Sequence, residues 1–261
     1  MANLMKNKVA LVTGGSSGIG RGAALKLAEN GARVALLDLN AEDAMEVKRE
    51  IEDLGSKAII VEADVSKTED MEQAFKKVFE EWGQLDFVFS NAGINGVISP
   101  IEDMSIDEFD TTIHTNLRGT FLTVKNAIPY MKENGGSIVI TSSVNGNRTF
   151  NKFGFSAYST SKAGQVAFGK MAALELARYK IRVNMICPGA IDTNIDSNTF
   201  PENENLKKIT IPIEYPEGEH PLTGEAGKPD QVGDLVLFLA SNLSSHITGT
   251  KVYIDGAESL L

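Results

Sequence analysis

Tyr158 and Lys162 stand four residues apart in a stretch, 157–179, whose pattern predicts one long helix, so their side chains share a face one turn apart. A phenol titrating near ~10 is a poor base at neutral pH. A close ammonium favours the phenolate and lowers that value, which makes the pair a general acid/base. Y-x-x-x-K spacing alone is common on solvated helices. What singles this pair out is Thr141-Ser142-Ser143 before it, at the C-terminal end of a predicted strand, where doubly wound sheets bind their ligands.

A second chemical feature is Thr13-Gly14-Gly15-Ser16-Ser17-Gly18-Ile19-Gly20. Glycines at 14, 18 and 20 permit a tight turn and close approach of a phosphate, and the helix opening there directs free N–H groups and its positive dipole end at it. The spacing G-x-x-x-G-x-G differs from the common G-x-G-x-x-G fingerprint. A strand before the turn, a helix after it and Asp38 at the end of the next strand supply the context. A carboxylate there can accept both ribose hydroxyls of an adenosine. It would repel a 2′-phosphate, and no Arg or Lys stands at 16, 17 or 39 to offset it, so NAD is expected over NADP.

These residues need elements to hold them. Short apolar runs at 9–12, 34–37, 58–61, 87–89, 138–140, 183–186 and 252–254 read as strands, being mostly β-branched and bounded by Gly, Asn, Asp or Ser. Continuous apolarity predicts burial on both faces, hence a parallel sheet. Helical patterns fall between them at 19–30, 41–54, 68–82, 106–132, 157–179 and 229–239. Gly31, Gly55, Gly83 and Gly135 follow four of these, where a left-handed cap is wanted. The expectation is an α/β fold, a doubly wound parallel sheet of Rossmann type, forming a single domain over 1–261. The stretch 192–228, with Pro201, Pro212, Pro216 and Pro221 and no clear periodicity, reads as a lid-like insertion over one edge.

Among 261 residues, 25 are basic and 35 acidic, a formal net charge of −10, which argues against nucleic acid and anionic membranes as partners. Cys187 is the one cysteine, so no internal disulfide or multi-thiolate metal site is available; His114, His220 and His246 are the only histidines and lack zinc spacing, so no metal is expected. No stretch matches a signal-peptide core or a spanning helix, and a cytoplasmic location is expected.

Taken in order, T-G-x-x-x-G-I-G (13–20), Asp38, Asp64-Val65, Ser90-Asn91-Ala92-Gly93, Asn116, Ser143, Tyr158-x-x-x-Lys162 and Pro188-Gly189 with Thr193 resemble the classical short-chain dehydrogenases/reductases over essentially the whole chain. The resemblance implies that Tyr158 is the acid/base, that Ser143 hydrogen-bonds the substrate oxygen, that Lys162 binds the nicotinamide ribose and tunes Tyr158, and that Asn116 holds a relay water. It implies that the cofactor lies along Gly14, Ser16, Ser17, Gly18, Ile19 and Gly20, then Asp38 and Leu39. Asp64 and Val65 would contact the adenine, Asn91, Ala92 and Gly93 the ribose side, and Pro188, Gly189, Ile191 and Thr193 the nicotinamide. A small alcohol or carbonyl substrate and a homotetramer follow by the same likeness.

Two departures stand out. Ser90 replaces the family's first Asn of Asn-Asn-Ala-Gly, and the interval from Ser143 to Tyr158 is 15 residues, about two longer than usual. The added length falls in 147–155 and should shape the pocket. Ser142 competes for the serine role; Ser143 is preferred because Gly146 follows it by three. Phe150, Phe153 and Phe155 read equally as a substrate wall or a subunit contact. His114 reads as packed or cofactor-adjacent, Cys187 as buried filler, Trp82 as packing. Eight acids against three bases in 192–228 suit either a solvated loop or a lid that excludes water.

The leading function is an NAD-dependent oxidoreductase interconverting a secondary alcohol and a ketone. One alternative is a 3-oxoacyl-[acyl-carrier-protein] reductase, disfavoured by Asp38 and by an acidic lid that would not attract an acidic carrier. Another is a non-catalytic dinucleotide-binding sensor on the same fold.

Overall fold

Every predicted apolar run becomes a strand. In chain order the elements are β1 (Val9–Thr13), α1 (Gly18–Glu29), β2 (Arg33–Asp38), α2 (Ala41–Asp53), β3 (Ala58–Glu62), α3 (Thr68–Trp82), β4 (Phe87–Ser90), β5 (Gly96–Val97), α4 (Ile106–Ile113), α5 (Gly119–Met131), β6 (Gly136–Thr141), α6 (Ser156–Leu176), β7 (Ile181–Pro188), β8 (Thr199–Phe200), α7 (Leu206–Ile209), α8 (Pro229–Ala240) and β9 (Lys251–Ile254). The structure is a computed structural model and describes residues 3–193, 199–200, 203–213, 215–216 and 218–261.

Seven strands form one parallel sheet in the order β3-β2-β1-β4-β6-β7-β9, and the short β5 and β8 pair apart from it. Every residue of β1 and β4 is buried, as a strand covered on both faces requires, whereas the edge strand β9 is half-buried throughout. Phe75, Met131, Ile138 and Met185 belong to the core on one face of the sheet, Leu27, Ile51, Phe89 and Val236 to the core on the other. On the second face α1 and α8 approach until Gly22 meets Pro229; a Cβ at Gly22 would sit 2.8 Å from that carbonyl oxygen. The four glycines expected to end helices all have left-handed φ, between 67° and 93°. β1 pairs with β2 on one side and β4 on the other, so the strand order reverses there and opens a crevice above the C-terminal strand ends.

The sequence predicts one helix over 106–132. The chain instead runs through α4, a π-helical turn at His114–Arg118, and α5. In that turn the Gly119 N–H reaches back five residues to the His114 carbonyl. Its neighbours explain the widening: Asn116 is drawn to Ile94 and Ser161, and the Arg118 guanidinium donates to the Ser66 carbonyl and to Thr68 Oγ1.

The insertion at 192–228 carries α7, which no periodicity announced. Leu206 is buried, the Asn203 N–H donates to the Ile98 carbonyl, and Asn205 Nδ2 reaches Asp103. This part is therefore docked on the loop after β5. Asp196, Glu202, Glu214 and Glu217, half of the acids counted for the lid, lie outside the described residues. Among the described residues no helix is long and apolar enough to cross a membrane.

Candidate active site

The glycine-rich turn is a backbone device. Gly14 and Gly18 have φ of 65° and 50°, and a Cβ at Gly20 would lie 1.9 Å from the Gly14 carbonyl oxygen, so side chains are excluded there by contact. α1 opens at Gly18 with no side-chain cap on its N–H groups and no acid in its first turn. Those donors and the dipole end are left for an anion. Asn91 stitches the turn to the sheet: its N–H donates to Thr13 Oγ1 (2.9 Å), its Nδ2 to the Thr13 carbonyl (3.2 Å), and its Oδ1 accepts from Thr141 Oγ1 (3.1 Å). Asp38 Oδ2 accepts from the Ser16 N–H (3.0 Å) and hydroxyl (2.6 Å), which fixes the carboxylate beside the turn. Burial pushes the Asp64 carboxyl up, but hydrogen bonds from Ser66 and the nearby Lys67 outweigh it and leave the group below its ordinary value.

A cleft of about 840 Å³ runs over these strand ends. Its walls include Gly14, Ser16, Ser17, Gly18, Ile19, Asp38, Leu39, Asp64, Val65, Asn91, Ala92, Gly93, Ser143, Tyr158, Lys162, Pro188, Gly189, Ile191 and Thr193. Of the residues expected in the site, Gly20 and Asn116 are not on the wall. Gly20 lies beneath the turn, and Asn116 is fully buried behind Gly93 and Ile94. The glycine cradle, the uncapped helix start and the carboxylate on β2 fit a dinucleotide along this cleft.

At the other end the groups are side chains. Tyr158, Lys162 and Ser143 are all buried. Ser143 and Tyr158 both line this end, with the Ser143 hydroxyl near enough to the phenol to oppose its upward shift, while Ser142 turns away, donating to the Lys162 carbonyl (2.7 Å) and accepting from Asn147 Nδ2 (2.9 Å). Lys162 Nζ donates to the Thr141 carbonyl (3.0 Å) and lies 5.5 Å from the Tyr158 ring centre. Phe155 packs edge-on against that ring, 5.7 Å between centres. Phe155 thus forms cleft wall, whereas Phe150 is exposed.

The spacing of Tyr158 and Lys162 predicts a lowered phenol pKa, and the fold reverses this: burial pushes Tyr158 up, and Ser143 opposes the rise only in part. Burial likewise pulls Lys162 down to about 8. The reason is that the same closure that brings the pair together also desolvates both, and each loses the charged form it would offer the other. His114 is exposed rather than packed, and Cys187 is buried filler whose thiol burial pushes up.

The Asn116 side chain is fully used as a clamp. Its Oδ1 accepts from the Ile94 N–H (2.9 Å) and its Nδ2 donates to the Ile94 carbonyl (2.9 Å) and Ser161 Oγ (3.0 Å). Its own carbonyl accepts from the Gly119 N–H, Thr120 Oγ1 (2.8 Å) and Gln165 Nε2 (2.9 Å). Gln165, overlooked in the sequence, also donates to Thr120 Oγ1 (2.7 Å), and its buried Oε1 has no partner among the described residues. A buried Gln three residues beyond Lys162, in a helix with so weak an apolar stripe, was the available signal. Arg118, Asn145, Lys152 and Glu258 were likewise unremarked; the last three line the cleft.

A family model described as Enoyl-(Acyl carrier protein) reductase matches residues 14–257. The chain is 37% identical over 258 residues to a cyclohexanol dehydrogenase of Acinetobacter sp. (strain SE19), covering 98% of this chain and 97% of that protein. A crystal structure of a 3-ketoacyl-ACP reductase from Sinorhizobium meliloti 1021 superposes with a TM-score of 0.92 at 46% identity, covering 97% and 99%. A 3-ketoacyl-(acyl-carrier-protein) reductase from Brucella melitensis complexed with NADH superposes at 0.85 with 31% identity, covering 98% and 99%.

Proposed function

The chain belongs to the classical short-chain dehydrogenase/reductase family, and from that premise we propose that it is an NAD-dependent oxidoreductase interconverting a secondary alcohol and a ketone. The observation that carries this is the Tyr158–Ser143 hydroxyl pair, buried at one end of a cleft whose other end is a glycine turn at an uncapped helix start.

A bound nicotinamide supplies the two-electron donor or acceptor. Ser143 and Tyr158 present two hydroxyls to one substrate oxygen. With its pKa raised by burial, Tyr158 holds its proton at neutral pH and is poised to donate it to a ketone oxygen during reduction. Alcohol oxidation needs the phenolate, so its rate rises with pH. Lys162, near Gly93 and the end of β6, is placed to bind a ribose. Asn116 acts here as a positioning residue. Its side chain holds the 91–94 loop on the cleft wall, and its carbonyl takes donors from Gly119, Thr120 and Gln165; the relay water that the resemblance implies is kept as a proposal beside this positioning role.

The choice of NAD is supported by Asp38 on the cleft wall, where a 2′-phosphate would meet a like charge, with no Arg or Lys at 16, 17 or 39 to offset it. The NADH complex of the Brucella melitensis neighbour is in keeping with that choice. A homotetramer is proposed on the family likeness and on the exposed apolar side chains of Phe121, Met171, Leu174 and Leu243; light scattering that returns a monomer would remove it. The cytoplasmic location rests on sequence composition.

The 46% identity to a 3-ketoacyl-ACP reductase favours a second reading, reduction of a 3-oxoacyl thioester. One assay separates the readings. The full chain is given NAD or NADP with cyclic and acyclic secondary alcohols, and NADH or NADPH with an acetoacetyl thioester. Faster NAD-linked alcohol turnover supports the first reading. NADPH-linked thioester reduction as the dominant rate replaces it with the second, and cofactor binding without turnover of any pair favours the non-catalytic sensor.

A further inference from the structure

The catalytic end of the cleft presents more donors than one substrate oxygen needs. Besides Ser143 and Tyr158, two donors on the β6–α6 connection line it, Asn145 and Lys152. Asn145 has its orientation fixed, because its Oδ1 accepts from Thr149 Oγ1 (3.1 Å) and its N–H donates to Ser143 Oγ (3.1 Å). Among the described residues its Nδ2 makes no hydrogen bond. Lys152 is exposed, lines the same cleft and forms no ion pair among the described residues.

The connection carrying them is held in place. Gly146 and Thr149 close a turn, Arg148 lies 4.1 Å over the Tyr253 ring and reaches Ser259 Oγ (3.3 Å), and the Gly154 carbonyl accepts from the Ser99 N–H (3.2 Å). Arg148 is thereby occupied away from the cleft. Among the described residues of this connection, Lys152 is the cation left to face the cleft.

We propose that the substrate carries a carboxylate in addition to its reacting alcohol or ketone, and that Lys152 and Asn145 Nδ2 receive that carboxylate. The inference rests on the oxidoreductase reading above and narrows its substrate class to hydroxy acids and their keto acids. Two acids also line this end, Asp192 and Glu258, but they rise from β7 and β9, and Glu258 Oε2 is engaged by the Ala190 N–H (2.6 Å). The acids at the far end, Asp38 and Asp64, face the adenosine side. A carboxylate is therefore matched on the Lys152 side and would be repelled elsewhere, which fixes which way round the substrate lies.

The test is steady-state kinetics of the full chain with saturating NAD and matched pairs, each a hydroxy acid and its methyl ester, at low and high salt. The expected result is kcat/KM at least about tenfold higher for the acid than for the ester, a preference that salt weakens. Lys152→Met brings the acid-to-ester ratio near unity by raising KM for the acid, and Lys152→Arg restores most of it. Equal use of acid and ester by the unaltered protein overturns the proposal while leaving the oxidoreductase reading intact. So does a Lys152→Met variant that loses acid and ester turnover in equal measure, since that marks a structural role. Failure to oxidise any member of any pair, or any neutral alcohol, removes the reading and this inference together.

Discussion

The Gly14–Asp38 end of the cleft and its Tyr158–Lys162 end both have to hold charge still, and they do so by opposite means. At the first, the donors are backbone N–H groups at an uncapped helix start, and the Asp38 carboxylate is fixed by Ser16. Those donors need no ionisation, because peptide dipoles are permanent. At the second, the groups are ionisable side chains buried by the same packing that aligns them, and burial moves both pKa values toward the neutral forms. A backbone site is robust but fixed in what it recognises. A side-chain site stores its reactivity as an unfavourable burial.

The largest expected effect breaks the second end while sparing the first. Tyr158→Phe should lower kcat about 10²–10⁴-fold, the usual worth of a general acid/base, with NAD affinity by calorimetry little changed. Retained turnover would show that this end is not where the proton moves.

Lys162→Met tests the stored cost. Folded Lys162 titrates near 8, below its unfolded value of 10.5, so between those pH values the unfolded chain binds more protons and stability rises as pH increases. Below about 8 the penalty is constant, of order 3 kcal/mol at 1.36 kcal/mol per pKa unit. Removing the amine should therefore abolish the rise in denaturation midpoint between pH 8 and 10.5 and leave the variant at least as stable at pH 7, though inactive. A variant whose stability keeps the original pH dependence would place its origin elsewhere.

Asp38→Ala acts on the first end. It should raise the NADP-to-NAD ratio of kcat/KM by about tenfold or more, the scale of one like-charge repulsion; an unchanged ratio would take Asp38 out of cofactor choice. The smallest effect should come from Gln165→Met. Two hydrogen bonds are lost, each worth about 1 kcal/mol net, but a buried acceptor without a partner is removed as well. Thermal stability should move by no more than about 1 kcal/mol, while KM for NAD rises because the Asn116 clamp loosens. A KM that stays fixed would leave Gln165 with no positioning role.

The two ends were also unequally legible in the sequence. The glycine turn announces itself because its constraints are local: strand, turn and helix adjoin, and Asp38 follows at the end of the next strand. The direction of the Tyr158 shift was not legible, because desolvation depends on what the rest of the chain brings over the ring, such as Phe155 and Ser143. Asn116 could be named from the motif, but not that its carbonyl would be claimed by Gln165 from another helix. The seven strands were legible because burial on both faces leaves continuous apolar runs. The break in 106–132 was not, because a π turn leaves no mark in side-chain type and is maintained here by contacts to Ile94, Ser66 and Thr68, all distant in sequence.

That wide turn also sets a phase. An α-helix advances about 100° per residue, so the extra residue at His114–Arg118 rotates α4 against α5 by that amount. On α4, Thr112 stands against Gly96, whose missing side chain makes room for the threonine hydroxyl, while on α5 Val124 is buried in the core on one face of the sheet. Deleting a single residue between 114 and 118 would restore ideal helical geometry and put the two halves out of step. In this stretch chain length is read like a vernier, and a shortened helix that is better by every local measure would point its faces the wrong way.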